Sequence, residues 1–163
     1  MSLMDAPVYN ETRENAKKRI LIGFAILVTA LLLLTLLGYI LGHGWLFTNL
    51  PAEHKVNNFF NALEAKDYGK AFEIYTNDPT AAQHPERHSE YPLARFTQDW
   101  TADSPVNAPI TSHHVDISRT DGSGTFGSGI IVAVRVNGNK KLFMYYLKKT
   151  GELTEPAPHI LEY

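Results

Sequence analysis

Cysteine is absent from this chain of 163 residues, and neither sign of charge dominates. The lack of cysteine excludes a fold held together by disulfide bonds. Lys and Arg number 15 against 17 Asp and Glu, a net charge of −2, which excludes a basic protein that binds nucleic acid. The length is that of one ordinary domain, so a multidomain enzyme is excluded as well.

Charge is also absent from residues 20–41, where 18 of the 22 residues are apolar. A helix of this length measures about 33 Å, against about 30 Å for the hydrocarbon core of a bilayer. Thr29 and Thr35 do not disqualify the segment, because their hydroxyls can bond to carbonyls of their own helix. The sequence therefore predicts a membrane-spanning helix and makes the lipid bilayer a partner of the chain.

Basic residues on one side of this helix predict its orientation. Lys17, Lys18 and Arg19 abut its start, and the next basic residue is Lys55. By the positive-inside rule, the N-terminus is expected in the cytoplasm and the C-terminal part outside. The absence of an N-glycosylation sequon after residue 50 favours a bacterial protein. We therefore expect the inner membrane of a bacterium, with the C-terminal part in the periplasm.

The residues at the end of the apolar run and just after it indicate whether the run is an uncleaved anchor or a cleaved signal peptide. Tyr39, Trp45 and Phe47 fit the aromatic belt of the outer membrane interface. A cleaved signal peptide is the rival interpretation, but its apolar region would be shorter, and the Gly-His-Gly at 42–44 is a poor cleavage site. The favoured organisation is a cytoplasmic tail (1–19), a transmembrane helix (20–41), a juxtamembrane connector (42–51) and an outer domain (52–163).

The outer domain begins with helical spacing. Four apolar residues fall at positions i, i+3, i+4 and i+7, which is one face of a helix: Val56, Phe59, Phe60 and Leu63. Asp67 is placed to cap a second helix, and a third is expected near Pro92. The interior is then expected to receive the aromatic side chains of all three.

The remainder of the domain is typical of strands. Residues 110–120, 130–136 and 140–148 are predicted strands, with Val115 and Ile117 on one face of the first. Asn137-Gly138 is a strong signal for a hairpin turn between the second and third. A short strand is expected near Leu153.

Residues 56–72, VNNFFNALEAKDYGKAF, resemble the opening of NTF2-like (cystatin-like cone) domains, which often carry Phe-x-x-Ala-Leu, then Asp-Tyr and a Lys-Ala helix. Residues 146–153 resemble the last hairpin of that family, without its usual Trp near Leu153. The similarity covers most of residues 52–155. It implies an α+β fold in which helices pack on a curved antiparallel sheet, and it implies no particular activity.

Histidines are the main candidates for chemistry. His84 and His88 are spaced to share a metal on a helix, but the prolines around them favour a solvated loop. His113 and His114 point to opposite faces of a strand, and His113 is a candidate to bind a ligand or act as a base inside the cone. HExxH, GxSxG and P-loop motifs are absent, and the Gly-rich segment 122–129 lacks the Lys of a phosphate-binding loop. We therefore predict neither catalysis nor a cofactor.

The predicted sheet has apolar residues on both faces, and the second apolar face is the feature that most strongly indicates a function. It consists of Ile131, Ala133, Phe143, Tyr145 and Leu147. A sheet that helices cover on one side should be polar on the other, so this face is covered either by another protein or by residues 156–163. NTF2-like domains often pair through this sheet.

Two functions follow as expectations. The first is a non-catalytic interaction or accessory subunit of a membrane assembly or homo-oligomer. The alternative is a small-ligand binder or enzyme that uses the interior of the cone. A deep polar pocket would favour the alternative, and an interior filled by aromatic side chains would oppose it.

Overall fold

The chain folds as a long apolar helix followed by an α+β unit, and the computed structural model describes residues 11–123 and 127–163. The helices are α1 (Glu11–Ile40), α2 (Leu46–Glu64), α3 (Tyr68–Thr76) and α4 (Leu93–Asp99), with a 3₁₀ turn at Pro85–His88. The strands are β1 (His113–Thr120), β2 (Gly129–Val136), β3 (Lys140–Leu147) and β4 (Leu153–Thr154). Two compact units result, Met1–Leu37 and Gly38–Tyr163.

Helix α1 is long and apolar enough to cross a membrane, and only 6% of its apolar window is buried. The low burial argues against a core helix of a soluble domain and is compatible with a membrane anchor. The hydroxyls of Thr29 and Thr35 donate to the carbonyls four residues earlier, at 2.9 and 2.8 Å. These bonds satisfy both hydroxyls within the helix, as the sequence predicts.

Helix α2 begins at Leu46, so the last six residues of the predicted connector are helical and only residues 41–45 separate the two helices. Pro51 lies inside the helix. As the sixth residue of α2, Pro51 has no N–H to bond to the carbonyl of residue 47, so one backbone hydrogen bond is missing there although the helix continues to Glu64. The first helix of the domain therefore begins six residues earlier in the sequence than the predicted boundary at residue 52.

The three shorter helices form one side of the core. The predicted stripe of α2 is confirmed, because Val56, Phe59 and Phe60 are fully buried and Leu63 is nearly so. The predicted cap of α3 is confirmed too, since Asp67 accepts a hydrogen bond of 2.9 Å from the backbone N–H of Lys70. Local sequence signals therefore suffice for these elements.

The sheet is antiparallel with the strand order β1-β2-β3-β4. Asn137 and Gly138 have φ angles of 50° and 87° between β2 and β3, which fits the type I′ turn that this pair predicts. One face of the sheet packs against the helices through a set of buried residues: Ile130, Val132, Val134, Val136, Leu142 and Met144. The α+β class with a helix-covered antiparallel sheet is thus the observed fold.

The first strand corrects one prediction. A β-bulge between Val115 and Ile117 shifts the register against β2, so Val115 packs on the helix side and Ile117 pairs with Ala133 on the other face. The expectation that both lie on one face is wrong, because the bulge adds Asp116 to β1 and breaks the alternation.

Candidate functional site

The second sheet face, on the side away from the helices, is narrower than the sequence suggests. Ile131 and Ala133 have no exposed surface, while Phe143, Tyr145 and Leu147 are half-buried. The five residues do lie on one face, but the first two are covered by the chain itself. Direct contact with a partner is therefore left to the three residues of β3.

The C-terminal segment accounts for part of this cover. The N–H of Ala157 donates to the carbonyl of Phe143 at 2.9 Å, beside β3. The hydroxyl of Tyr163 donates to Asp116 of β1 at 2.7 Å, and Lys141 Nζ lies 3.9 Å from the centre of its ring. The segment thus runs from β3 to β1, so intramolecular cover, one of the two alternatives for this face, is present in the structure.

Asp116, the charged group that binds Tyr163, is itself held by an ion pair. The pair is with Arg135 of β2, at 3.0 Å. Partial burial, together with the hydrogen bond to Asp116, raises the pKa of Tyr163 to about 12. The neutral phenol is therefore the form that holds the C-terminus in place.

Tyr145, although half-buried on this face, is bonded through its hydroxyl to a second carboxylate. Its hydroxyl donates to Asp121 at 2.7 Å, and Asp121 also accepts from the backbone N–H groups of Ser123, Ser128 and Gly129 at 3.0 Å each. Burial alone would raise the pKa of Asp121, but these donors and the hydroxyl of Ser128 hold it well below its usual range. Asp121 therefore organises the described part of the loop between β1 and β2, residues 121–123 and 127–128.

This role of Asp121 was not predicted, although an Asp before a Gly-rich segment is a recognised signal for side-chain-to-backbone turns. Three residues of the predicted Gly-rich loop, 124–126, lie outside the described residues. The part of the loop that is described is organised around the carboxylate of Asp121.

His113 lies on the helix side of the sheet but is enclosed. Its Nδ1 is 2.6 Å from the carboxylate of Glu64, its Nε2 is 2.9 Å from the amide oxygen of Asn57, and its ring stacks on Phe60. Only 6% of its side chain is exposed, against 75% for His114. Both ring nitrogens of His113 are therefore engaged by neighbouring side chains of the domain.

His84 and His88 do not converge. His84 pairs with Glu86 at 3.1 Å, and His88 pairs with Asp78 at 3.2 Å, beside an open cavity of about 370 Å³. A 3₁₀ turn places residues i and i+4 on different sides, unlike an α-helix. Among residues 11–123 and 127–163, no group of three or more His, Cys, Asp or Glu side chains is placed to hold a metal ion.

The interior between the helices and the sheet is filled by aromatic rings. The ring of Phe59 lies 5.2 Å from Phe60 and 5.0 Å from Trp100, both edge to face, and Phe72 lies 5.3 Å from Phe96. All five side chains are buried. Such contacts stabilise the core beyond the burial of the same area.

A polar cluster joins the connector to β1, and we call His43, Asn49, Glu53 and Ser118 the connector cluster. The hydroxyl of Ser118 donates to Glu53 at 2.5 Å, and Glu53 lies 2.9 Å from the Nδ1 of His43. The side chain of Asn49 donates to the carbonyl and hydroxyl oxygens of Ser118. The N–H of Ser118 donates to the carbonyl of Gly42 at 3.0 Å. No motif in the sequence indicates this cluster, since its members are up to 75 residues apart.

The predicted membrane-interface residues are exposed. Tyr39, Trp45 and Phe47 expose 71%, 57% and 62% of their surface, and Leu50 adds a fourth exposed apolar side chain at the start of α2. The basic residues Lys17, Lys18 and Arg19 are also exposed, with Lys17 paired to Glu14 at 2.9 Å. Single exposed apolar side chains are ordinary on a protein surface, but the concentration of four within residues 39–50 is compatible with the predicted membrane interface.

In comparisons with known proteins, the chain matches no family model, no curated protein and no solved structure.

Proposed function

We propose that this chain is a single-pass membrane protein whose outer domain serves, without catalysis, as an interaction or accessory subunit of a membrane assembly or homo-oligomer. The proposal places α1 in the inner membrane of a bacterium, with the N-terminus in the cytoplasm and residues 52–163 in the periplasm. It treats that domain as NTF2-like. The order of helices first and an antiparallel meander second supports the likeness.

The filled interior carries the proposal. In a cone-shaped domain that binds a ligand, the space between helices and sheet would remain open and would present polar groups. Here that space holds Phe59, Phe60 and Trp100 in contact with one another. His113, the candidate base, is engaged by Glu64 and Asn57. The surface is therefore the part of the domain that remains for function.

The β3 side of the second sheet face is the proposed contact surface. Phe143 and Leu147 are large apolar side chains that the C-terminal segment leaves partly exposed. Ile160, in that segment, exposes 68% of its surface. A partner that covers these groups removes apolar area from water at about 25 cal/mol per Å².

Photo-cross-linking in native membranes tests this surface. A photoreactive phenylalanine analogue replaces Phe143 in the full chain, and the same analogue replaces Tyr68 of α3 as a matched control. Tyr68 is also half-buried but lies on the helix side of the domain. We expect a discrete adduct from position 143 and none from position 68.

The mass of the adduct separates the two forms of the proposal. An adduct of two chains of 18.3 kDa each indicates a homo-oligomer, and any other discrete mass indicates a second subunit. Recovery of the monomer alone from position 143, and from the same analogue placed at positions 145 and 147, would overturn the proposal.

The lack of cysteine permits a clean test of orientation. A single cysteine placed at Glu162 or at Glu11 is the only thiol of the chain. We expect a membrane-impermeant maleimide to label the variant at Glu162 from the periplasmic side and to label the variant at Glu11 only after the inner membrane is opened. The reverse pattern contradicts the proposed topology.

A further inference from the structure

The strongest unassigned feature of the Gly38–Tyr163 unit is a cavity of about 420 Å³ beside the connector. We call it the membrane-side cavity, and its walls include Tyr39, Trp45, Asn49 and Arg119. Its volume lies within the range of ligand sites, about 300–1,000 Å³. Tyr39 and Trp45 are predicted membrane-interface residues, but none of the predicted ligand, metal or contact sites uses this cavity.

Arg119 supplies the charge of this cavity. It lies near the end of β1 with its side chain exposed. In the described part of the chain, its guanidinium makes no hydrogen bond or ion pair. Asp121, two residues further along the chain, is engaged by the backbone of the β1–β2 loop, and Glu53 is engaged by Ser118, the residue before Arg119. The cavity therefore presents one unpaired positive charge, which favours an anion.

The position of the cavity in the chain indicates the source of that anion. Tyr39 is the third-last residue of the apolar run, so at about 1.5 Å per helical residue its backbone lies within about 3 Å of the end of that run. Trp45 is only four residues beyond the run. Tyr and Trp rings are typical of the headgroup level of a bilayer, with apolar bodies toward the acyl chains and polar tips toward water.

From these observations we infer that the membrane-side cavity binds the phosphate group of an anionic phospholipid, with Arg119 as its charge partner and Tyr39 and Trp45 beside the glycerol region. A guanidinium binds a phosphate through two parallel hydrogen bonds, which a zwitterionic lipid weakens by placing its own cation nearby. The inference rests on the membrane anchor of the proposed function, but not on the contact surface of β3.

Native mass spectrometry of the full chain in neutral detergent micelles tests the inference. The micelles receive equal amounts of phosphatidylglycerol and phosphatidylcholine with identical acyl chains. We expect the chain to retain phosphatidylglycerol about tenfold better, and Arg119→Gln to reduce this preference to about twofold or less. Arg95→Gln is the matched control, because it removes the same charge from α4, away from this cavity.

Each outcome decides for or against the inference. Equal retention of the two lipids by the unaltered chain overturns it, as does an unchanged preference in Arg119→Gln. Displacement of the lipid by inorganic phosphate at the same concentration indicates a soluble anion and overturns the lipid assignment. If Arg119→Gln fails to fold, Arg119→Lys provides the second variant, with an expected intermediate preference.

Failure of the anchor is recognised separately. A chain that leaves the membrane in an alkaline carbonate wash overturns the anchor and the inference together. A chain that stays in the membrane without a preference for phosphatidylglycerol overturns the lipid site alone.

Discussion

Asn49 and Ser118 are 69 residues apart in the sequence and are joined by two hydrogen bonds, from the Nδ2 of Asn49 to the carbonyl oxygen of Ser118 at 3.1 Å and to its hydroxyl at 2.9 Å. Asn49 is 1% exposed and Ser118 is fully buried. This pair ties the start of α2 to the edge strand of the sheet. It makes the segment next to the apolar helix part of the folded domain instead of a free tether.

Replacement of Asn49 tests the strength of this tie. Asn49→Ala leaves buried oxygens of Ser118 without their donor, so we expect the free energy of unfolding to fall by about 2 kcal/mol. Denaturant unfolding of the full chain in micelles, followed by near-UV circular dichroism, measures the change. Asn58→Ala on the exposed side of α2 is the control and should cost less than about 0.5 kcal/mol. Equal losses of unfolding free energy in the two variants would mean that the bonds between Asn49 and Ser118 do not stabilise the domain.

Gly129 is required by the ring of Tyr145. A Cβ built at Gly129 would overlap that ring, although the φ of Gly129 is one that any residue adopts. We expect Gly129→Ala to lower the free energy of unfolding by about 1–3 kcal/mol in the natural chain and by much less when Tyr145 is also Ala. Thermal unfolding of the two single variants and the double variant measures this coupling.

The control for the glycine substitution lies in α3. A Cβ at Gly69 would meet its nearest neighbour at an ordinary 3.6 Å. Gly69→Ala should therefore stabilise the domain by up to about 1 kcal/mol, because Ala favours a helix over Gly. Additive effects of Gly129→Ala and Tyr145→Ala would contradict the predicted overlap.

His113 and His114 form a matched pair of adjacent residues with opposite surroundings. His113→Ala removes the partner of Glu64 and Asn57 and the ring stacked on Phe60, so we expect a loss of about 2 kcal/mol of stability. His114→Ala should change stability by less than about 0.5 kcal/mol, because its side chain is mostly exposed. The midpoint of urea unfolding distinguishes the two, and similar midpoints would refute the structural role of His113.

Tyr163 predicts a pH dependence of the C-terminal segment. Its folded pKa of about 12 is raised above the ordinary value of 10, so the neutral form is favoured in the folded chain. The attachment to Asp116 is therefore complete below pH 10 and is lost as the pH rises through the folded pKa. Hydrogen exchange of residues 157–163 should show this loss.

Two variants isolate the tyrosine. Tyr163→Phe should remove from the spectrophotometric titration one tyrosine with a midpoint near 12, as the folded pKa requires. Asp116→Asn should move that midpoint toward 10, since the carboxylate that disfavours the phenolate is gone. A midpoint at the ordinary value in the unaltered chain would show that the segment is not held by this bond.

Local signals explain which elements could be predicted. The stripe of Val56, Phe59 and Phe60, the cap at Asp67 and the turn at Asn137 each depend on residues within about one turn of each other. All of them are present in the structure. The surroundings of the candidate site residues were predicted less well, because they depend on contacts between elements that are distant in the sequence.

The second sheet face shows why the site was only partly predictable. Strand alternation correctly places Ile131 and Tyr145 on one face, since the period of two is a local property. Whether Ile131 is accessible depends on which segment packs over this face. The C-terminal segment does so, because it contacts β3 at Ala157 and β1 at Tyr163. No spacing within either segment encodes that contact.

The sequence by itself determined the apolar helix, the order of helices and strands, and the residues that fill the core, because periodicity and capping act over a few residues. The tertiary structure alone decided that a bulge splits Val115 from Ile117, that Glu64 and Asn57 enclose His113, and that Asn49 bonds to Ser118. These features depend on side chains that approach one another only after the helices pack on the sheet. Their hydrogen bonds are then required, because burial removes the water that would otherwise satisfy the same groups.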